Sequence, residues 1–319
     1  MSIFGFTKGL KVFMKTNINN IFIYLPNWLG DAVMSSAAIK IIKDNYPKAK
    51  ITFYGNKISC DIFSGYNDCE FIYEDKKRRF KQFLKLPKYD LAISFKGSFS
   101  AKMCFFVLKS KKKLFFNKKT QGHQVEKYAN LINSVCEFKK DDLKLFIPFK
   151  KIQASEKIFG INAGAKYGSA KRWEAKYFAD VAKEYAKTHK IVIFGINSEK
   201  DICDEIEQAL INNNIKCENL CGKTSIKSLC EHISSLDLFI TNDSGPMHIA
   251  AAYDIKTVAI FGPTKDNETS PYSKNAKIVK LNLDCMPCMK RACPLHHHKC
   301  MKELYPQIVI NALQQTSDI

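Results

Sequence analysis

Short runs of β-branched and aromatic residues alternate along this chain with longer stretches in which apolar residues recur every three or four positions. In the first half the runs are NIFIYL (20–25), KITFYG (50–55), EFIYE (70–74) and YDLAISF (89–95), and VMSSAAIKIIKDNY (33–46) has the helical spacing. This alternation is typical of βαβ units around a parallel sheet. The first half is therefore predicted to be a Rossmann-like layer.

A second series of the same kind begins after residue 155. Its predicted strands are KIFGIN (157–162), KIVIFG (190–195), LDLFITN (236–242) and KTVAIFG (256–262). Helices are predicted over 174–188, 199–213, 225–235 and 245–253. Two such halves predict an α/β protein in which two Rossmann-like, doubly wound domains face each other across a cleft.

The length of 319 residues suits two domains of ordinary size. The stretch 138–155 loses periodicity and is polar, so it is predicted to be the linker. We expect a first domain over 1–153, a second over 154–302 and a closing helix over 303–319 that packs back on the first domain. Residues 1–18 form an extension of the first domain, interpreted as either an interfacial amphipathic element or the product of an alternative start codon.

The chain carries 50 Lys and Arg against 31 Asp and Glu, a formal net charge of +19. Such a field attracts polyanions, whether nucleic acid, an anionic membrane surface or phosphorylated substrates. The basic runs KKRRFK (76–81) and KSKKKLFFNKK (109–119) lie in the first half, and a solvated Lys-rich surface is the alternative interpretation. No run approaches the about 18 apolar residues of a membrane-spanning helix, which argues against an integral membrane protein.

Candidate site residues follow the predicted strands, because ligands of open α/β sheets bind beyond the carboxyl ends of the strands. NWLGDAV (27–33) follows the first strand, where Gly30 allows a tight turn. Asp31 is expected at a helix N-terminus, where the helix dipole stabilises its carboxylate and directs it into the cleft. The alternative is that Asp31 is only a helix N-cap.

Two further loops have features of anion-binding sites. In NAGAKYGSAKRW (162–173), two glycines let backbone N–H groups approach an anion, and Lys171 and Arg172 add positive charge. In TNDSGPMHIAAA (241–252), Asp243 and Ser244 can cap a helix whose exposed N–H groups would receive a pyrophosphate. Taken alone, the histidine of this second loop is more readily interpreted as a packed side chain.

LPNWLGDAV, NAGAKYGSAKRW and NDSGPMHIAAA, in this order and separation, closely resemble motifs of the ADP-heptose:lipopolysaccharide heptosyltransferases, family 9 glycosyltransferases with a GT-B fold. The stretch C-x-x-C-x-x-x-x-C-P-L-x-H-x-x-C looks like the heptosyltransferase II branch. The resemblance implies inverting transfer of L-glycero-D-manno-heptose from ADP-heptose, without a metal or other cofactor. The acceptor it implies is the first heptose of the lipopolysaccharide inner core on a Kdo-lipid A carrier.

The resemblance also implies roles for individual residues. Asp31 matches the proposed general base, which takes the proton of the attacking hydroxyl, and Lys171 matches the lysine that contacts the donor phosphates. In GINSEKD (195–201), either Glu199 or Asn197 is expected to hold the ribose hydroxyls. The substrate-binding residues it implies are Asn27, Trp28, Gly30, Gly164, Ala165, Arg172, Asn197, Glu199, Asp243, Ser244, Gly245 and His248.

The charge has a specific use in this interpretation, because the inner core presents phosphates and carboxylates at an anionic membrane face. Each nearby Lys or Arg contributes on the order of 1 kcal/mol to binding such a surface. We expect a cytoplasmic enzyme that associates loosely with the inner face of the cytoplasmic membrane of a Gram-negative bacterium. Residues 76–119, where acceptor contacts are expected, match the family only loosely.

Two alternatives stay open on the sequence. One is heptosyltransferase I or another family 9 heptosyltransferase. The other is a zinc-stabilised nucleic-acid-binding protein, which would leave NWLGD, AKRW and NDSGPMH without a role and lacks a recognisable RNA- or DNA-binding pattern. We therefore expect no nucleic acid partner.

The stretch CMPCMKRACPLHHHKC (285–300) concentrates four cysteines and three histidines. Its spacing is not that of paired C-x-x-C zinc fingers, although Cys285, Cys288, Cys293 and Cys300 can supply four thiolates to a tetrahedral zinc. We favour free or buried thiols in a compact loop over such a structural zinc, and no step of the implied transfer needs a metal there.

Overall fold

The computed structural model describes residues 18–317, which form two parallel sheets covered by helices on both faces. All but the last residue of the predicted extension 1–18 lies outside the described residues. The predicted α/β architecture of two doubly wound domains is confirmed by the connectivity of the two sheets.

The first domain contains five strands and five helices within the described residues. In chain order they are β1 (Asn20–Tyr24), α1 (Leu29–Asn45), β2 (Lys50–Gly55), α2 (Lys57–Asp61), β3 (Cys69–Tyr73), α3 (Arg79–Lys85), β4 (Tyr89–Ser94), α4 (Phe99–Val107), β5 (Ser110–Phe115) and α5 (Gln124–Ile132).

The second domain contains six strands and seven helices within the same limits. They are β6 (Ile158–Asn162), α6 (Ala175–Tyr185), β7 (Lys190–Phe194), α7 (Lys200–Ile211), β8 (Cys217–Asn219), α8 (Ile226–Ser234), β9 (Leu238–Asn242), α9 (Gly245–Ala252), β10 (Lys256–Ile260), α10 (Asp266–Thr269), β11 (Ala276–Val279), α11 (Lys299–Lys302) and α12 (Pro306–Ser317).

Strand order explains where a ligand can bind. The first sheet runs β3-β2-β1-β4-β5 and the second runs β11-β10-β9-β6-β7-β8, with every pairing parallel. Each order reverses direction at one point, between β1 and β4 in the first sheet and between β6 and β9 in the second. The crevice outside the strand ends at such a reversal is the usual ligand site of this architecture.

The inner strands are buried because helices cover both faces of each sheet. In β1, Ile21, Phe22, Ile23 and Tyr24 are fully buried, and β9 is buried along its whole length. Continuous apolar strands are what a parallel sheet requires, and this is why the sequence pattern located them.

Three strands were missed by the sequence analysis, and all three lie at sheet edges. β5 falls within the basic run 109–119, and its exposed Lys111, Lys112 and Lys113 mask the strand pattern. β8 and β11 are short edge strands of the second sheet. An edge strand buries fewer side chains and commonly carries lysines, so its apolar signal is weak.

The predicted linker joins the two sheets, and part of it is packed: Leu143, Leu145 and Ile147 are buried in a cluster that includes residues of both domains. One expectation about chain organisation needs correction. The closing helix does not pack on the first domain: α12 lies against β10, β11 and α6 of the second. Val309, Ile310 and Leu313 of that helix join the core of the second domain.

No helix among residues 18–317 is both long enough and apolar enough to cross a bilayer.

Candidate active site

The carboxyl ends of both sheets face a cleft between the two domains, which holds two adjoining cavities. The larger has a volume of about 580 Å³ and is lined by residues of both domains, including those that follow β1, β6, β7 and β9. The smaller, of about 340 Å³, is lined mainly by the first domain. The residues that line both cavities are Asn27, Trp28, Asp31 and Glu268.

The loop NWLGD leads directly into α1, which begins at Leu29. Trp28 occupies the N-cap position without a side-chain cap, so Asp31 lies in the first turn and is not the N-cap. Gly30 is helical and does not form the expected tight turn. A Cβ on Gly30 would lie 2.8 Å from Cδ2 of His248, so glycine is needed here for a close approach between the domains.

A second glycine lies at the same contact between the domains. A Cβ on Gly245, at the start of α9, would lie 3.0 Å from the side chain of Leu29. The two glycines thus let the N-terminal ends of α1 and α9 pack against each other, one helix from each domain. This close approach brings the loop that carries Asp31 next to the start of α9.

Asp31 is partly buried between the two cavities. Burial raises the pKa of its carboxyl from 3.8 to about 6, although Lys118 and Lys171 act in the opposite direction. The carboxyl is therefore mostly ionised at neutral pH and more basic than an ordinary aspartate. A proton acceptor with a pKa near the working pH is well suited to general base catalysis.

The start of α9 is free to bind an anion. Ser244 occupies the N-cap position but makes no side-chain cap, and its Oγ accepts a hydrogen bond from Nδ2 of Asn162 (3.0 Å). The first N–H groups of the helix therefore keep their capacity to donate, and they lie at the positive end of the helix dipole. This is the arrangement in which a phosphate binds at a helix N-terminus.

Lys171 and Asp243 form an ion pair beside this helix start. Nζ of Lys171 lies 2.5 Å from Oδ2 of Asp243, and the same oxygen accepts a hydrogen bond from Oγ1 of Thr264 (2.6 Å). The ammonium also lies 4.8 Å from the centre of the Tyr167 ring. Lys171 is therefore held at the wall of the larger cavity with its charge close to the N-terminus of α9.

His248, one turn into α9, is 3% exposed. Its Nδ1 is buried without a hydrogen-bond partner among the described residues, and burial lowers the pKa of the imidazole to about 4. The ring is therefore neutral at pH 7. The positive charge beside Asp243 at the cleft is supplied by Lys171 and not by this histidine.

Glu199 and Asn197 lie at the part of the larger cavity formed after β7. Glu199 is 6% exposed, and its Oε2 accepts a hydrogen bond from the N–H of Ile196 (3.1 Å). A Cβ on Gly164 would lie 2.0 Å from that oxygen, so the glycine leaves the space that the carboxylate occupies. Gly222 accommodates Oδ1 of Asn197 in the same way, with a φ of +71°.

Ten of the twelve substrate-binding residues implied by the resemblance line the larger cavity, as do Asp31 and Lys171. Ala165 and Arg172 do not line it. Ala165 is 2% exposed in the loop after β6. Arg172 lies near Glu199 outside the cavity lining. Burial raises the pKa of Glu199, and the charge of Arg172 lowers it by a smaller amount.

The smaller cavity as such was not predicted, although acceptor contacts were expected within 76–119. It is lined by Lys96, Lys118 and Lys127, which follow β4 and β5 or lie on α5. Lys127 reaches across the cleft to Glu268 of the second domain (2.9 Å). The sequence signal was the basic run 109–119, but only folding shows that one of its lysines faces Asp31.

The cysteine-rich segment packs against the loop after β6. The carbonyl oxygen of Arg291 accepts a hydrogen bond from the N–H of Ala170 (3.0 Å), and a Cβ on Gly168 would lie 2.2 Å from that oxygen. The hydroxyl of Tyr167 donates to the carbonyl of Met289 (3.0 Å). The segment therefore supports the loop that carries Lys171. Within residues 18–317, no three His, Cys, Asp or Glu side chains converge as metal ligands would.

Comparison with known proteins adds to this geometry. The model of the family described as glycosyltransferase family 9 (heptosyltransferase) matches residues 77–299. A lipooligosaccharide heptosyltransferase 2 of Campylobacter jejuni is 47% identical over 312 residues, covering 93% of this chain and 99% of the relative. The lipopolysaccharide heptosyltransferase 2 of Escherichia coli is 25% identical over 342 residues, covering 92% and 97% of the two chains.

Two solved structures share the fold. The structure of E. coli ADP-heptose lps heptosyltransferase II superposes with a TM-score of 0.75 at 24% identity, covering 93% of this chain and 98% of the other. That of the E. coli heptosyltransferase WaaC with ADP gives a TM-score of 0.74 at 15% identity, covering 93% and 99%. The predicted GT-B architecture is confirmed by these superpositions.

Proposed function

The chain belongs to glycosyltransferase family 9, and on this premise we propose that it is a type 2 heptosyltransferase that adds heptose to the first heptose of the lipopolysaccharide inner core. The donor is ADP-heptose. The observation that carries the proposal is the position of Asp31, whose carboxyl has a raised pKa and lines both adjoining cavities. One cavity can hold the donor and the other the acceptor, with the base between them.

The transfer is inverting and proceeds by direct displacement. The acceptor hydroxyl attacks the anomeric carbon of the heptose from the side opposite the diphosphate, and Asp31 takes the hydroxyl proton. A new C–O bond forms as the bond between the anomeric carbon and the phosphate oxygen breaks. ADP leaves with the bonding electron pair, so the catalyst must stabilise negative charge that develops on the diphosphate.

Two features of the second domain can stabilise that charge. The uncapped N–H groups at Ser244 and Gly245 donate toward the diphosphate, and Lys171 supplies a cation beside them. Asp243 holds the lysine in place, so less of its side-chain entropy is lost when the donor binds. We propose that these groups stabilise the developing charge and that the transfer proceeds without a metal ion or other cofactor.

The nucleoside of the donor fits the part of the larger cavity after β7. Glu199 and Asn197 offer acceptors for the ribose hydroxyls. Ile196 and Leu229 line the same cavity and offer an apolar surface to the adenine ring. Of the two candidates, Glu199 is our choice for the ribose because Gly164 leaves room for its carboxylate at the cavity wall.

The smaller cavity fits an anionic acceptor. Lys96, Lys118 and Lys127 surround the space next to Asp31, and an inner-core oligosaccharide presents carboxylates and phosphates to such a site. The acceptor is anchored in lipid, so the enzyme works at the cytoplasmic face of the inner membrane of a Gram-negative cell and associates with that face peripherally. The net charge of +19 supports association with an anionic surface.

The acceptor is tested by offering ADP-heptose with purified acceptors truncated before and after the first heptose. We expect release of ADP and extension only with the acceptor that carries the first heptose. Transfer to the heptose-free acceptor would identify a heptosyltransferase I instead. The nucleic-acid-binding alternative predicts retention of DNA or RNA in a filter-binding assay and no ADP release; the family assignment does not favour it.

A further inference from the structure

Two neighbouring helices of the first domain expose apolar side chains to solvent. On α4, Phe99, Met103 and Phe106 follow the spacing i, i+4, i+7 that places residues on one helix face, and they are 78%, 50% and 79% exposed. On α3, Phe80 and Leu84 are one turn apart and 48% and 56% exposed. We call these five residues the α3–α4 surface.

The opposite sides of the same two helices pack on the sheet, and this packing does not involve the α3–α4 surface. Phe83 of α3 and Ala101 and Phe105 of α4 are buried against the sheet residues Phe22 and Tyr54. The helices also pack against each other, and Nη1 of Arg79 donates to Oγ of Ser100 across them. The exposed side chains are therefore not needed to complete the core, and exposed apolar clusters of this kind mark interaction sites.

The surroundings of the surface are strongly basic. Residues 76–119 contain fifteen of the chain's 50 Lys and Arg residues and a single acidic residue, Asp90. Lys81, Lys85 and Lys102 are exposed on the two helices themselves. Aromatic and aliphatic side chains surrounded by lysines match the requirements of an anionic bilayer surface, which offers acyl chains below a layer of phosphates.

The surface also continues into the smaller cavity. Lys96, Gly97 and Ser98 line that cavity, and Ser98 is the N-cap of α4, accepting a hydrogen bond from the N–H of Ala101. The first exposed aromatic residue of the surface, Phe99, follows at once. A lipid-anchored acceptor that enters the smaller cavity would therefore have its membrane next to α4; this step rests on the proposed function.

We propose that the α3–α4 surface docks on an anionic phospholipid bilayer. Phe99, Met103 and Phe106 enter the boundary between headgroups and acyl chains, and the lysines around them contact lipid phosphates. A second copy of this chain is a poorer occupant, because a symmetric contact would bring the same positive field against itself. Docking would hold the smaller cavity at the membrane face and so shorten the search for a lipid-anchored acceptor.

Co-sedimentation of the full chain with vesicles tests the docking. Wild-type protein should bind vesicles of phosphatidylethanolamine and phosphatidylglycerol, and bind phosphatidylcholine vesicles weakly. The double variant Phe99→Ser/Phe106→Ser should lower the partition coefficient at least about tenfold, since each ring loses burial in the bilayer. The matched control Ile211→Ser/Leu295→Ser removes two exposed apolar side chains of the second domain and should bind like wild type.

A charge series separates the two contributions to binding. Lys81→Gln/Lys85→Gln/Lys102→Gln should weaken binding to phosphatidylglycerol vesicles and reduce its salt dependence. Lys187→Gln/Lys216→Gln/Lys274→Gln, three exposed lysines of the second domain, should leave binding near the wild-type value. Binding that is unchanged in the aromatic variant, or absent from anionic vesicles at low salt, would overturn the proposal.

Activity on two forms of the acceptor distinguishes this proposal from the proposed function. Phe99→Ser/Phe106→Ser should lose rate on acceptor embedded in anionic vesicles and keep the wild-type rate on a deacylated, water-soluble acceptor. If the wild-type protein binds vesicles but transfers no heptose, the proposed function is wrong and the docking proposal still holds. If wild-type protein is a dimer that the aromatic variant dissociates, and neither binds vesicles, the surface is a contact between copies and the docking proposal is wrong.

Discussion

Replacement of Asp31 by asparagine should lower activity and raise stability at the same time. Burial raises the pKa of this carboxyl from 3.8 to about 6. Each unit of pKa shift corresponds to about 1.36 kcal/mol, so the ionised carboxylate costs the folded protein on the order of 3 kcal/mol. Asparagine has nearly the same size and no charge, and it cannot take a proton.

The stability effect has a defined pH dependence. Below pH 3.8 the carboxyl is protonated in both the folded and the unfolded chain, and its raised pKa favours folding fully there. This contribution is lost as the pH rises through about 6. The free energy of unfolding of Asp31→Asn should therefore exceed that of the wild type by about 1 to 3 kcal/mol at pH 8, and the difference should shrink toward zero near pH 4.

The rate effect has the opposite sign. Loss of a general base typically costs about 10²- to 10⁴-fold, so we expect kcat of Asp31→Asn to fall within that range while ADP binding stays near the wild-type value. In the wild type, kcat/KM should fall about tenfold for each pH unit below about 6, as the base becomes protonated. Lys118→Gln removes one of the cations that lower this pKa, so its acid limb should move to higher pH.

The assays are ADP release at saturating acceptor, calorimetric ADP binding, and urea unfolding at pH 4 and pH 8. If the Asp31→Asn variant retains more than about a tenth of the wild-type kcat, Asp31 is not the general base. If the variant loses activity and its free energy of unfolding at pH 8 is lower than that of the wild type, the substitution damages the fold. In that case the ionised carboxylate of Asp31 does not destabilise the folded protein.

Two further predictions concern contacts in the cleft, and a third concerns metal content. Gly30→Ala places a Cβ 2.8 Å from Cδ2 of His248, so thermal unfolding should show a loss of about 1 to 3 kcal/mol and kcat should fall as the domains are pushed apart; unchanged values would contradict the tight contact. Gly164→Ala displaces the carboxylate of Glu199, so KM for ADP-heptose should rise about tenfold with less effect on kcat; an unchanged KM would exclude Glu199 as a ribose ligand. EDTA should leave the rate of transfer unchanged, and a loss of rate on chelation would contradict metal-independent transfer. Elemental analysis of protein purified without a His tag should find no stoichiometric zinc bound at 285–300.

The cysteine-rich segment shows how a conspicuous pattern can have a structural role. Its density of thiols and imidazoles raises the question of a metal, and Cys285, Cys288 and Cys293 lie near enough to Cys300 to act on its thiol. The backbone of the segment also contacts the loop after β6. The carbonyl of Arg291 and the carbonyl of Met289 accept hydrogen bonds from Ala170 and Tyr167. These acceptors are backbone carbonyls of a loop, and their contacts with residues more than a hundred positions away depend on the fold and not on side-chain identity.

The sequence by itself determined the inner strands, the two doubly wound domains and the loops that carry Asp31 and Lys171. It could do so because inner parallel strands must be continuously apolar and because ligand loops of such sheets follow strand ends. Edge strands such as β5 escaped, since a strand that is paired on one side and solvated on the other has little apolar pattern.

Only the tertiary structure decided how the two halves meet. The contact of Gly30 with His248 and the ion pair of Lys127 with Glu268 join residues that are more than a hundred positions apart. The raised pKa of Asp31 also depends on what folding removes from water around it. Periodicity and spacing report local geometry along one segment, whereas burial and charge at a cleft are set by segments that only the folded chain brings together.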